Sequence, residues 1–181
     1  DLTLTLGAAA YVKMDSENSD TDFFIYPRIN VSYRVVDELL IAYGGLEGTL
    51  EQNSYYDFKE VNPFVSPTLD ITPTNKMYEA FGGVKGKFTN SIGYNLRASY
   101  ANVDNQALFR LNEFEGLQID GRGYAQGNSF KVVYDDIQTL AIFGELNLAI
   151  NEAFSLGMSA TYNNYSTDQE IQAWNLPNLE A

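Results

Sequence analysis

SIGYNLRASY, residues Ser91–Tyr100, alternates along its whole length. Ile92, Tyr94, Leu96, Ala98 and Tyr100 are apolar or aromatic, while Gly93, Asn95, Arg97 and Ser99 are small or polar. Side chains on a β-strand point to opposite faces in turn, so this is a strand with one oily face and one polar face. The fold depends on which of the two meets water.

The same period of two recurs on either side, with no convincing amphipathic helix. Leu2, Leu4, Leu6, Ala8, Ala10, Val12 and Met14 share a face in the first run. In FFIYPRINVSYRV, Phe23, Ile25, Pro27, Ile29, Val31, Tyr33 and Val35 oppose a set containing Arg28, Asn30 and Arg34. Pro27 donates no ladder hydrogen bond, which weakens that run without breaking its alternation. Further strands read through LLIAYGGLEGTL, where the phase is unclear at Gly44 and Gly45, through KMYEAFGGVKGKF, and through the opening stretch extended to NQALFRL. SFKVVYDDIQTLAIFGELNLAI, FSLGMSATYNNY and a last strand starting in IQAWNLPNLEA complete about eight candidates, read as one unit over residues 1–181. Short connections, VDE at Val36–Glu38, TNS at Thr89–Ser91 and NEA at Asn151–Ala153, alternate with long polar ones. An up-and-down antiparallel meander with one trim end and one shaggy end is the habit of outer-membrane barrels.

Three features set the oily face toward lipid. Several strands are far longer than the usual five or six or so residues of globular proteins and reach the roughly 9–11 needed to cross hydrocarbon. Aromatics collect near strand ends: Tyr33, Phe88 and Phe154 by the short turns, and Tyr11, Tyr43, Tyr100, Tyr134 and Tyr162 toward the long loops. The oily faces carry almost no charge, and Arg28, Arg34, Arg97 and Glu145 fall opposite them. Lys or Arg at the lipid midplane costs about 2–4 kcal/mol, so this segregation is expected of a membrane barrel. The expected fold is all-β: a partial antiparallel up-and-down transmembrane β-barrel.

Composition narrows the chemistry. The 181 residues hold 11 basic and 24 acidic side chains, for a net charge of -13, which argues against a nucleic-acid partner. With 0 Cys and 0 His, this chain has no disulfide framework, no thiolate, none of the usual zinc, copper or haem ligands and no Ser-His-Asp arrangement. No catalytic residue, metal site or cofactor is expected. No apolar run is long enough for a transmembrane helix, which needs roughly 18 residues or more. The chain opens already in mid-strand, as a fragment or processed product would.

Three further segments carry polar or glycine-rich patterns without the spacing that a site requires. Asp15, Glu17, Asp20 and Asp22 in DSENSDTD offer oxygen ligands for calcium, but without the spacing or turn glycine of an EF-hand they read as a solvated acidic loop. Asp135 and Asp136, adjacent in a strand, point to opposite faces and so cannot share a proton. GRGYAQGN is Gly-rich but lacks the Lys-Ser/Thr of a phosphate loop and reads as a plain loop.

The pattern resembles the C-terminal barrel of TonB-dependent receptors of Bacteroidetes type. The likeness is carried by NPFVSPTLDITPTNKMYEAFGGVKGKFTNSIGYNLRASYANVDNQALF, by FKVVYDDIQTLAIFGELNLAINEAFSLGMSATYNNYST, and by QAWNLP as the entry to a following strand. It implies an outer-membrane transporter taking up a nutrient or chelate, with about 22 strands in the whole barrel. It also implies TonB and a plug domain as partners and leaves room for a surface lipoprotein, beside outer-membrane lipid. Neither plug nor TonB box is present here, nor an aromatic C-terminal residue, so the chain reads as a barrel segment. Two rivals are a complete eight-stranded membrane barrel serving as an anchor or adhesin, and a soluble ligand-binding β-barrel. On the transporter reading, Arg28, Asn30, Arg97, Glu145, Asn147 and Thr161 line the interior, with Ser159 and Asn163 beside them. Tyr55, Tyr56, Phe58 and Phe64 in the long third connection are candidates for external ligand contact or for packing that loop down.

Overall fold

The computed structural model describes residues 1–15, 20–114, 123–151, 154–169 and 175–181. Eight strands form one antiparallel sheet in sequence order: β1 (Leu2–Asp15), β2 (Asp20–Val36), β3 (Leu40–Glu51), β4 (Thr74–Thr89), β5 (Ile92–Leu111), β6 (Phe130–Asn151), β7 (Phe154–Thr167) and β8 (Leu179–Glu180). Among the described residues β1 pairs with β2 and with no other strand, so the sheet is open. It forms part of a barrel wall, and among the described residues it does not close on itself.

Register carries the two faces across the sheet. Val31, Gly44, Gly82, Ala98 and Ile142 stand on one rung, and Ser32, Tyr43, Gly83, Arg97 and Phe143 on the next. This resolves the phase of β3: Ala42, Gly44 and Leu46 join the apolar face, and Tyr43, Gly45 and Glu47 the polar one. The apolar face is bare. Leu96, Leu146 and Leu156 keep 54%, 47% and 46% of their surface exposed, and Leu4, Ile25 and Met158 are equally open. Nothing among the described residues covers them, whereas a soluble barrel packs such residues inside. The polar face, the inner one, carries cavities of its own.

Boundaries move in two places. The first tight turn is Asp37–Leu39, one residue later than read, with Asp37 at φ 36° and Leu39 N–H donating to Val36 O. Residues 152–153 of the third short turn lie outside the described residues. The last strand begins only at Leu179, pairing with Tyr162, and Asn175–Asn178 are loop rather than strand entry. Pro27 is tolerated because it pairs with Ala8 on β1 alone, one residue beyond Arg28, where the β2–β3 ladder ends.

The aromatic belts are also partly redrawn. Tyr33, Phe88 and Phe154 are exposed at the short-turn end, and Phe23, Tyr78, Tyr100 and Tyr162 toward the other. Tyr11 and Tyr43 turn inward, where their hydroxyls bond Thr49 and Asn95.

One helix appears where none was expected: α1, Tyr55–Val61, in the β3–β4 connection. Ser54 caps it, its side chain accepting from Asp57 N–H, the geometry that a Ser-x-x-Asp spacing provides. The helix lies on an extension of the β5–β6 hairpin beyond a bulge at Val103–Gln106, where Asn105 has φ 54°. There Phe58, Val65, Ala107 and Phe109 form a core with Leu69, Phe130, Val132 and Tyr134 around it. Phe58 meets Phe109 edge-on at 6.0 Å. Residues 64–66 add a short parallel bridge to the start of β6. On the opposite side of the extension Leu108, Ile137 and Asp135 are the most buried side chains, at 0%, 1% and 2% exposure. The β7–β8 connection ties in nearby: Asn175 Nδ2 donates to Ala107 O and its Oδ1 accepts from Phe109 N–H, both at 3.2 Å.

Candidate functional site: the inward polar wall

The inward face of β3–β7 holds a cavity of about 480 Å³ lined by Tyr43, Glu79, Lys85, Asn95, Arg97, Ser99, Phe143 and Thr161. A second, of about 760 Å³, continues it toward the short turns and shares Lys85 and Asn95 with it. Each residue owes its place to the two-residue period. Glu79, Phe81, Gly83 and Lys85 share one face of β4, as Asn95, Arg97 and Ser99 do of β5.

The centre is an ion-paired, stacked arginine. Arg97 Nη2 lies 2.6 Å from Glu79 Oε1, and its guanidinium sits 4.1 Å over the ring of Phe81. The second Glu79 oxygen faces Lys76 Nζ at 3.5 Å. One carboxylate therefore serves two cations. Arg97 Nε is buried and has no hydrogen-bond partner among the described residues. Lys85 Nζ stands 5.4 Å over the Tyr43 ring. Glu47 on β3 stands directly across from Glu79, so the patch sets Lys76, Lys85 and Arg97 against two carboxylates.

Glycines let the tyrosines lie flat on the wall. Tyr43, on β3, crosses Gly83 of β4 and donates a 2.6 Å hydrogen bond to Asn95 Oδ1 on β5. A Cβ at Gly83 would come within 2.7 Å of that ring and would also strike Leu96 O. Tyr26 repeats the arrangement one strand back: it crosses Gly48 and donates to Asn75 Oδ1 at 2.6 Å. Phe81 likewise covers Gly45. The rings are thereby kept against the sheet, and the cavity stays open.

Of the interior candidates, Arg97 and Thr161 meet at the first cavity. Glu145 and Asn147 line the second, with Asn147 Nδ2 donating to Glu145 Oε1 at 2.9 Å. Arg28 and Asn30 face inward on β2 beside Glu47 and Gly45, away from both. Asn163 is buried under the β7–β8 connection, its Nδ2 donating to Pro177 O at 3.2 Å. Sequence reading passed over Glu79, Tyr43, Phe81 and Lys85. Glu79 was legible from its spacing to Lys85 on β4, but the glycine–tyrosine pairing depends on register.

Among the loop candidates Tyr55, Tyr56 and Phe64 are exposed, whereas Phe58 is buried and packs the loop down. Asp135 is buried and accepts from Gln169 N–H, while Asp136 accepts from Asn105 N–H on the other face. In the acidic loop Asp22 pairs with Lys13 at 3.5 Å, and residues 16–19 lie outside the described set. Gly123–Ala125 of GRGYAQGN form a single 3-10 turn, and residues 121–122 are likewise outside it. No metal-holding group of His, Cys, Asp and Glu occurs among the described residues.

Outside the bilayer-length part of the strands, burial pushes the Asp104 carboxyl above its ordinary range. The nearby Asp136 carboxylate adds to this, and a hydrogen bond from Asn75 opposes it.

No protein-family model matches the chain, and no curated protein does. Among solved structures, the copper transporter OprC matches with a TM-score of 0.56 at 15% identity, over 88% of this chain and 23% of that one. The chain thus spans under a quarter of the transporter's length. Its eight-stranded sheet has the fold of a segment of that transporter.

Proposed function

We propose that this chain is a wall segment of an outer-membrane, TonB-dependent transporter barrel of Bacteroidetes type, taking up a nutrient or chelate without catalysis. The observation that carries the reading is the inverted polarity of an open eight-stranded sheet: oily residues bare on the outer face, charge and amide groups around cavities on the inner one. The fold shared with a transporter supports it. On this reading the short turns are periplasmic and the α1-bearing connection is extracellular. Arg97, Glu145, Asn147 and Thr161, with Arg28 and Asn30 further round, face the bore. Tyr55, Tyr56 and Phe64 are the external contacts. TonB, a plug, outer-membrane lipid and a surface lipoprotein are the partners.

The cargo of OprC is not carried across. Copper favours thioether, thiolate and imidazole ligands. This segment has 0 Cys, 0 His and 3 Met, and Met14 and Met158 face outward. Its inner wall carries hydrogen-bonding groups and charges of both signs instead, Lys85 and Arg97 beside Glu79 and Glu145, which suits a polar solute.

The test is growth of the source bacterium on single nutrients. Loss of the same nutrient on deleting this gene and on deleting TonB supports the reading. A nutrient lost with this gene but still taken up without TonB contradicts it.

A further inference from the structure

The outer face is not uniformly rough. Gly144 on β6 pairs with Ala160 on β7 and faces Leu96 on β5, so a notch with backbone at its floor opens in the apolar surface. Leu146 and Met158, two rungs along and paired with each other, wall it on one side. At the short-turn rim Phe88 and Tyr94 stack at 4.4 Å, and the Tyr94 hydroxyl is already bonded to Leu39 O. The notch encloses about 410 Å³. Its lining is mainly aliphatic and aromatic, with Glu145 and Ser159 of the intervening rung also reaching it, and it runs along the face that the membrane reading gives to hydrocarbon.

We propose that this notch seats one fatty acyl chain of a glycerophospholipid at a fixed place, in contrast to the exchanging lipid around it. The inference rests on the membrane-spanning reading. Continuity with that face argues for hydrocarbon as the occupant. The rim lies at the short-turn end, which the same reading puts in the periplasmic leaflet. Ladder hydrogen bonds satisfy the backbone floor, so an alkyl chain meets no unpaired polar group there. Each methylene removed from looser surroundings into close contact with Leu96, Leu146 and Met158 adds dispersion contacts that a flat strand face cannot offer.

The test uses the natural full-length protein in phosphatidylethanolamine–phosphatidylglycerol nanodiscs, with part of the lipid carrying a diazirine in one acyl chain. Adducts are mapped by mass spectrometry after illumination. The expected result is a severalfold higher yield at Leu146 than at Leu4 and Leu6 on the same face. Gly144→Leu fills the notch from its floor, its Cβ in ordinary contact 3.5 Å from Leu96 Cδ2, and is expected to remove that excess while leaving Leu4 unchanged. Met158→Ala, which takes away part of one wall, is expected to lower the excess without shifting Leu4. Even labelling across the face, insensitive to Gly144→Leu, overturns the proposal in favour of ordinary annular lipid. An excess seen only with photoreactive lipopolysaccharide overturns the choice of phospholipid. Labelling of no outward residue at all sinks the membrane reading itself.

Discussion

The hydroxyl of Tyr43 reaches over Gly83, on the strand between, to donate a 2.6 Å hydrogen bond to Asn95. Three strands are tied by one side chain, and the middle strand contributes only the absence of a side chain. Gly83→Ala is expected to destabilise the barrel by about 1–3 kcal/mol, because the new methyl group meets the Tyr43 ring and Leu96 O. Gly82→Ala, whose Cβ would find its nearest neighbour at 3.9 Å, should be close to neutral. Denaturant titration of the full-length protein in detergent, read by heat-modifiable gel mobility, distinguishes the two.

Glu79 and Arg97 should behave as a coupled unit. Glu79→Gln leaves Arg97 and Lys76 without a carboxylate beside an already unpartnered Nε. A double-mutant cycle with Arg97→Met is expected to give a coupling of about 0.5–3 kcal/mol. Additive effects would show that the 2.6 Å contact contributes nothing.

The loop core is predicted to unfold separately from the wall. Phe58→Ala removes a ring packed edge-on to Phe109 and is expected to cost about 3–5 kcal/mol in that unit. Limited proteolysis should then cut between Glu51 and Thr74 while heat-modifiable mobility stays unchanged. Loss of both would show that the wall depends on the loop.

Much of this was legible before any coordinates. The two-residue period gave the strands and their oily faces, because lipid and water select opposite polarity at adjacent residues. The alternation of short and long connections gave the meander. What stayed hidden depended on neighbours far away in sequence. Tyr11 and Tyr43 looked like belt residues, but register places them beside Thr49 and Asn95. Phe58 was open to either external contact or loop packing, and the β5–β6 extension supplies the Phe109 that buries it. α1 was missed because seven residues are too few to show a helical period, although the Ser54–Asp57 cap was there to read.

Asp104 gives a pH dependence whose sign can be worked out. Its carboxyl is raised in the folded protein by burial and then by Asp136, so the folded state holds the proton more tightly than the unfolded one. The group is best tolerated below the unfolded value of about 3.9, and stability is lost as pH rises through the folded value above it. Asp104→Asn is therefore expected to stabilise the protein slightly at pH 7, by about 0.5 kcal/mol or less. The gain should vanish in acid, below the ordinary aspartate range. Thermal unfolding of both forms across pH checks it, and a gain that persists in acid would assign the effect to something other than charge.

The central claim is that oily residues meet lipid and polar ones meet water. This chain contributes no cysteine, so single cysteines at successive positions 94–99 and 142–147 can each carry a spin label in the reconstituted full-length protein. Collision with oxygen, which dissolves in hydrocarbon, is predicted to peak at Leu96 and Leu146. Collision with a water-soluble nickel chelate is predicted to peak at Arg97 and Glu145, giving opposite oscillations of period two. The reverse phase, or no oscillation in either reagent, would contradict the account.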